Sequence, residues 1–389
     1  PAEEHLIHTY NRYQIVLDKG DGVHLYDTDG KEYLDFGAGI AVFALGYNNK
    51  EYNDALKTQI DKLVHTSNYF YNEPAAKAAK MLTKATGMDR VFFTNSGTEA
   101  VEGAIKLAKK YAYLKDGSTD HEIIAMEHSF HGRSMGALAV TGNKHYQEAF
   151  GPMIPGIRFA QYNNLESVKE LVNEKTCAII FETVQGEGGV YPAKKEFIEG
   201  VRKLCDKYGI LMICDEVMAG FFRTGKWFAW QNFDFVPDMI TFAKGVTCGY
   251  VQLGGVIVNK RVADYFEENV LQCGLTYSGH TLACAAGVAA LTYYKEHNIE
   301  QHVAEMHEIV APFMQKMVEK HKCVGEARCI GLFGALEMVK NKETREPLQE
   351  YGVPGTAMPW IFAELKKRGF ATKKEALEWE HSILLAAKA

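Results

Sequence analysis

The sequence predicts an α/β protein: one large, mainly parallel sheet covered by helices, followed by a smaller α+β domain. Two patterns carry this expectation. Short apolar runs alternate with helical stretches from about residue 50 to 285, and such alternation belongs to parallel strands joined by helical crossovers. Beyond 285 the alternation stops, and two long helical stretches lead into a single strand-like run. A third observation places a site. The run 210–214 ends on Asp215-Glu216, and the run 239–243 ends on Lys244-Gly245. In an open α/β sheet, ligands bind in the crevice outside the carboxyl ends of the strands, so an acid and an amine delivered there face a pocket.

Taken in order, the chain first shows Val23-His24-Leu25-Tyr26-Asp27 and Glu32-Tyr33-Leu34-Asp35-Phe36 around Asp29-Gly30, the turn dipeptide of a β-hairpin. Residues 1–49 therefore read as an N-terminal β element belonging to the small domain. Strands are expected at 90–94, 122–126, 177–182, 210–214, 239–243 and 254–258, each a short apolar run. Helices are expected at 75–86, 99–113, 164–173 and 195–208, the last closed by Gly209 as a C-terminal cap. The large domain spans 50–285. The C-terminal domain, 286–389, takes up helices at 283–296 and 300–320, a strand at 329–339, and more helix from about 356. Residues 373–389 read as one helix.

The 389 residues are 47% hydrophobic and 24% charged, the balance of an ordinary globular chain with a sizeable core. A net charge of −6 provides no basic field for nucleic acid. No run of eighteen apolar residues is present to span a membrane. Pro1-Ala2-Glu3-Glu4-His5 lacks the basic and apolar regions of a signal peptide, which makes the cytoplasm the expected compartment. The 8 cysteines are scattered, without a C-x-x-C pair, and read as reduced, mostly buried thiols. His128, His131 and His280 lack the spacing of metal ligands, so no metal is expected.

A lysine desolvated at a strand end has its pKa lowered and can act as an amine nucleophile. Pyridoxal phosphate (PLP) needs such a lysine, together with an acid that keeps its ring nitrogen protonated. A buried Asp215–Lys244 ion pair with a purely structural role is the alternative. Upstream, Val91-Phe92-Phe93-Thr94-Asn95 runs into Ser96-Gly97-Thr98-Glu99 and an alanine-rich helix, leaving backbone N–H groups beside a glycine as an anion site. Ser96-x-x-Glu99 is equally a capping box, which would use the same donors.

The run 122–126 leads into His128-Ser129-Phe130-His131-Gly132-Arg133. That places Phe130, suited to stacking on a ring, and Arg133, suited to bidentate carboxylate binding, at another strand end. A core phenylalanine with a surface arginine is the plainer reading. The run 177–182 ends in Glu182, followed by Gln185-Gly186-Glu187-Gly188-Gly189, where backbone can pass close to a ligand or simply turn. Thr276-Tyr277-Ser278-Gly279-His280-Thr281 is a hydroxyl-rich loop before a helix, readable as a cap.

Taken together and in this order, the motifs from about residue 8 to 350 resemble the class III (ω-) aminotransferases of the fold-type I PLP enzymes. The residues that carry the resemblance are Ser96-Gly97-Thr98-Glu99-Ala100, Phe130 through Arg133, Glu182 through Gly189, Asp215-Glu216-Val217 and Ala243-Lys244-Gly245. The resemblance implies a seven-stranded, mainly parallel sheet and a homodimer with shared active sites. By it, Lys244 carries the cofactor and shuttles the proton, while Asp215 holds the ring nitrogen. Val217 and Phe130 sandwich the ring. Ser96, Gly97 and Thr98 bind the phosphate, and Thr276 reaches the neighbouring subunit's phosphate. Glu182 lies near the cofactor, Glu187 lies near the substrate channel, and Arg133 holds a substrate carboxylate.

Within the family, residues 8–215 are most similar to acetylornithine aminotransferases, through Thr9-Tyr10-Asn11-Arg12, Gly39-Ile40-Ala41-Val42, His65-Thr66-Ser67-Asn68 and the Phe130–Arg133 motif. After Asp215 the chain departs. Met218 stands where those enzymes usually have Gln, and Met218 through Trp227 resembles ω-amino-acid:pyruvate and taurine aminotransferases instead. After Phe370 the family's strand with an arginine and a Pro-Pro pair is missing, which weakens 2-oxoglutarate as acceptor and favours pyruvate. The expected reaction is ping-pong transfer of an ω-amino group, best matched by N-acetylornithine, to a 2-oxo acid. The alternatives are an ω-amino-acid or taurine:pyruvate aminotransferase, a PLP aminomutase of the glutamate-1-semialdehyde type, and a catalytically weak PLP-fold protein.

Overall fold

The computed structural model describes residues 2–348, 357–371 and 382–386. Its centre is a seven-stranded sheet in the order Arg90–Thr94, Gly254–Val258, Met239–Phe242, Leu211–Asp215, Thr176–Glu182, Glu122–Met126 and Ile157–Ala160. The sheet is parallel except for Gly254–Val258, which runs against both of its neighbours.

The central strands are apolar up to the acids at their carboxyl ends because both of their faces are covered. Every residue of Thr176–Glu182 and of Leu211–Asp215 is buried. Successive side chains leave a strand on opposite faces. Ile179, Phe181, Met212 and Cys214 accordingly pack into one apolar layer, and Ala178, Ile180, Leu211 and Ile213 into the other. On the second layer lies the helix Gly97–Asp116, through Val101, Ala104, Ile105 and Ala108. That helix starts on Ser96 and stops at Gly117, which takes the left-handed conformation that closes it, φ 75°. Gly209, at φ 70°, closes Lys195–Tyr208 in the same way.

Six of these strands follow the sequence expectation, and the seventh, Ile157–Ala160, was not anticipated. It is a four-residue edge strand carrying an exposed arginine, so it lacks the continuous apolar run that marks the others. The helix Lys50–Lys62 was likewise not anticipated.

The expected single strand at 329–339 is a hairpin. Val324–Ile330 pairs antiparallel with Phe333–Asn341, and the chain reverses at Gly331, φ 59°. The expected helix over 373–389 is corrected where it is described: Ser382–Ala386 is a strand paired antiparallel with Phe333–Glu337 of that hairpin. The hairpin edge supplies main-chain partners that a short apolar run cannot announce by its own periodicity. The remaining residues of that expectation lie outside those described.

The N-terminal hairpin forms as expected, His24–Asp27 against Glu32–Asp35, and Phe370–Ala371 joins it in parallel. Among the described residues no helix is long and apolar enough to cross a membrane. All 8 cysteines are free thiols, five of them buried.

Candidate active site

Parallel register sets the site. Asp215 lies opposite Glu182 on one side and Thr241 on the other, so the carboxyl ends of three adjacent strands present these residues side by side. Lys244 follows in the first turn after its strand, opening a short 3₁₀ turn at φ 45°. Lys244, Asp215, Glu182, Gly97, Thr98, Phe130, His131, Gly132, Arg133, Val217, Met218 and Ala243 line one cavity of about 240 Å³.

Asp215 is nearly buried, and three donors fix its carboxyl group. Val217 N–H and Thr241 Oγ1 donate to Oδ1 at 3.0 and 2.8 Å. His131 Nδ1 lies 2.7 Å from Oδ2. The His131 side chain is fully buried, which by itself depresses its pKa, yet the hydrogen bond and charge of Asp215, with Glu182 behind it, outweigh that and raise it. His131 Nε2 is buried without a hydrogen-bond partner among the described residues.

Glu182 is placed differently from a free acid. Its Oε1 accepts from Phe130 N–H at 2.9 Å and its Oε2 from Gly186 N–H at 3.0 Å, so it ties two loops to the end of its strand. Burial pushes its pKa up to about 7. Glu216, beside Asp215, serves the other side. It accepts from Thr183 Oγ1, Ala229 N–H and Trp230 N–H at 2.7, 2.8 and 2.8 Å, and burial pushes it up to about 7 as well.

The start of the helix Gly97–Asp116 opens onto the cavity. Ser96 caps it, accepting from Glu99 N–H at 3.2 Å. Glu99 reaches back to Asn95, taking its main-chain N–H at 2.7 Å and its side-chain amide at 2.9 Å. The cap is thus formed, and it is Gly97 and Thr98 that line the cavity. Gly97 packs directly on Val217: a Cβ there would stand 2.8 Å from Val217 Cγ1. Thr98 Oγ1 accepts from Arg133 N–H and Ser134 N–H at 3.2 and 3.0 Å, pinning the Phe130–Arg133 loop over the helix start. Gly132, at φ 138°, lets that loop pass, since a Cβ there would meet Thr98 Oγ1 at 2.4 Å.

These groups fit PLP. A lysine amine, a buried acid with its donors in place, a helix start suited to an anion and an aromatic ring converge on one cavity.

Of the residues expected to serve the site, Lys244, Asp215, Glu182, Gly97, Thr98, Phe130, Val217 and Arg133 are brought together. Ser96 is the helix cap. Glu187 is half-buried in the glycine-rich loop, and Thr276 is exposed, its carbonyl 3.4 Å from Asn68 Nδ2. Neither lines the cavity within this chain. His131 entered the sequence reading only as a histidine without metal-ligand spacing, and Thr241 was not singled out, although both hold Asp215. Their signal was indirect: a carboxyl group at the end of a buried strand needs donors, and the motif around Phe130 contained one.

The fold and site define a class of protein, and the chain belongs to it: the model of the class-III aminotransferases matches residues 7–374. It is a PLP-dependent aminotransferase. Among curated relatives, the acetylornithine aminotransferase of Clostridium acetobutylicum is 41% identical over 338 residues, 87% of each chain. The acetylornithine aminotransferase of Archaeoglobus fulgidus is 40% identical over 83% of this chain and 84% of its own. Among solved structures, the taurine:2-oxoglutarate aminotransferase of Bifidobacterium kashiwanohense, in complex with PLP and glutamate, superposes with a TM-score of 0.94. It is 44% identical and covers 100% of this chain and 91% of its own.

Proposed function

We propose that this chain transfers the ω-amino group of a donor with an anionic far end to a 2-oxo acid, in two half-reactions, with N-acetylornithine as the first candidate donor. The observation that supports this most is the placing of Lys244 and Asp215 on neighbouring strand ends with Arg133 at the same cavity. When bound, PLP supplies the electron sink that lets an amino group leave one carbon and join another. With PLP bound, Lys244 Nζ would hold the group and then take up and return the proton at the substrate carbon. Asp215, fixed by Val217, Thr241 and His131, would hold the ring nitrogen and keep it protonated. Gly97 and Thr98 would receive the phosphate, while Phe130 and Val217 would enclose the ring. Glu182 positions the Phe130 loop from behind, and Arg133 grips the anionic end of donor or acceptor.

A second donor, taurine, is favoured by a separate observation. The taurine enzyme is 44% identical over the whole chain, whereas the curated acetylornithine relatives named above reach 41% over 87% of it. Met218, which replaces the polar residue usual in acetylornithine enzymes, lines the cavity. That solved relative is also named for 2-oxoglutarate, so 2-oxoglutarate stands beside pyruvate as a proposed acceptor.

A homodimer completes the proposal. Tyr69, Phe70, Tyr71 and Tyr277 are exposed, and Asn68 ties their segment to Thr276 through the carbonyls of Leu275 and Thr276. An aromatic face of this kind suits an interface that delivers Thr276 to the partner's phosphate. The soluble cytoplasm remains the proposed compartment.

The deciding experiment incubates the holoenzyme with acetylornithine, taurine or β-alanine, first without an oxo acid and then with 2-oxoglutarate or pyruvate. Conversion of the cofactor's absorbance by the donor alone, with product only after the oxo acid is added, supports transamination. Isomerisation of a single compound would establish an aminomutase instead, and an unchanged spectrum would mean a dead site.

A further inference from the structure

Arg133 lies at the cavity mouth with its guanidinium carbon over two rings, 4.1 Å from the centroid of Tyr146 and 5.2 Å from that of Phe130. The two rings meet edge to face, 6.2 Å apart at 86°. Tyr146 belongs to the short helix Lys144–Gln147, which is tied firmly to the chain before it. Gln147 Nε2 donates to the carbonyls of Leu138, Ala139 and Thr141 at 3.0, 3.4 and 2.9 Å, and Asn143 Oδ1 accepts from His145 N–H at 3.1 Å. The tyrosine is therefore a fixed platform under a flexible side chain.

An arginine exposed at a mouth samples many rotamers, and ordering it on binding a ligand has an entropic cost. A ring held against the guanidinium face removes much of that freedom beforehand. Contact through the face leaves the planar fork of N–H donors to be used by an anion.

We propose that Tyr146 is a specificity residue that acts through Arg133, holding the guanidinium in place over the Phe130 ring so that the site favours substrates with an anionic group remote from the reacting carbon. This rests on the reading of Arg133 given above. Phe130 anchors the same stack to Glu182 through its main-chain N–H, so the arginine, the tyrosine and the ring of the cavity wall share one frame.

The test compares β-alanine with n-propylamine, which differ in the carboxylate, on the holoenzymes of native protein, Tyr146→Leu, Tyr146→Phe and Arg133→Ala. Tyr146→Leu raises KM for β-alanine about ten-fold, leaves KM for n-propylamine within about two-fold, and leaves kcat for both nearly unchanged. Tyr146→Phe, which keeps the ring face, restores native KM for β-alanine. Should Tyr146→Leu not fold by its melting profile, Tyr146→Met replaces it with a closer match in volume. An equal change for both amines, or no change for either, overturns the role of Tyr146 while a selective loss in Arg133→Ala leaves the arginine reading intact. If Arg133→Ala itself fails to discriminate the two amines, the arginine reading falls and this inference with it.

Discussion

Lys244 occupies a backbone conformation, φ 45°, that few residues with a side chain adopt, and it lines the cavity. Lys244→Ala is expected to abolish both the visible band of the bound cofactor and turnover while keeping the far-ultraviolet circular dichroism of the native chain; a variant that retains band and activity would remove Lys244 from the mechanism. Glu216 allows a pH prediction. Its ordinary pKa of 4.5 rises to about 7 in the folded chain, chiefly by burial. Between those values the folded chain binds more protons than the unfolded one, so this group's contribution to stability falls as pH rises through that window. Urea denaturation of the protein at pH 5.5 and 7.5 should therefore show a loss at the higher pH to which Glu216 contributes about 2 kcal/mol, and Glu216→Gln should narrow the difference. An undiminished difference would place the pH dependence elsewhere. At this scale the sequence was legible where a charge ended an apolar run, as at Asp215 and Lys244. It was not legible for His131, whose partner lies 84 residues away and is brought to it only by the sheet.

The elements explain why one motif served two readings. Ser96-x-x-Glu99 was open to capping and to anion binding, and the helix divides them: Ser96 caps, while Gly97 and Thr98 face the cavity. Ser96→Ala is expected to lower the stability of the cofactor-free protein by about 1 kcal/mol through the lost cap. The check is equilibrium unfolding without PLP, and no loss there would mean that the cap contributes nothing to the fold. Element boundaries were legible wherever a strand was buried on both faces or a helix ended in glycine. They failed at the edges. Ile157–Ala160 is covered on one side only by sheet, and 382–386 finds its partner in a hairpin whose turn at Gly331 the apolar run of 329–339 concealed. In both cases the deciding partner is distant in sequence, which local pattern does not encode.

For the whole molecule, the placing of Thr276 outside the cavity of its own chain makes assembly a functional question. Phe70, 69% exposed between Tyr69 and Tyr71, is the natural probe. For the homodimer proposed above, Phe70→Asp is expected to give a monomer in sedimentation and to reduce turnover at least ten-fold, since a charge in the middle of the proposed aromatic interface would be desolvated without a partner. A variant that stays dimeric and fully active would move the interface to another face. The fold class and the order of its chemistry were readable from the chain alone, because strand-end charges and loop motifs are local. The donor was not, because the residues that line the cavity, Arg133, Glu182 and Met218 among them, come from segments far apart in the chain.

One feature of the C-terminal hairpin reaches further than its position suggests. Arg328, almost fully buried, stacks 4.0 Å over Tyr191, binds Glu337 at 2.6 Å and donates to the carbonyl of Gly189 at 2.9 Å. Gly189 N–H closes on Gly186, Gly186 N–H is held by Glu182, and Glu182 also holds Phe130. A continuous line of hydrogen bonds thus runs from the C-terminal hairpin to the main chain of Phe130, whose residue lines the cavity. In an exchange experiment the main-chain amides of Phe130 and Gly186 should therefore lose protection together, at the rate set by the opening of one shared carboxylate.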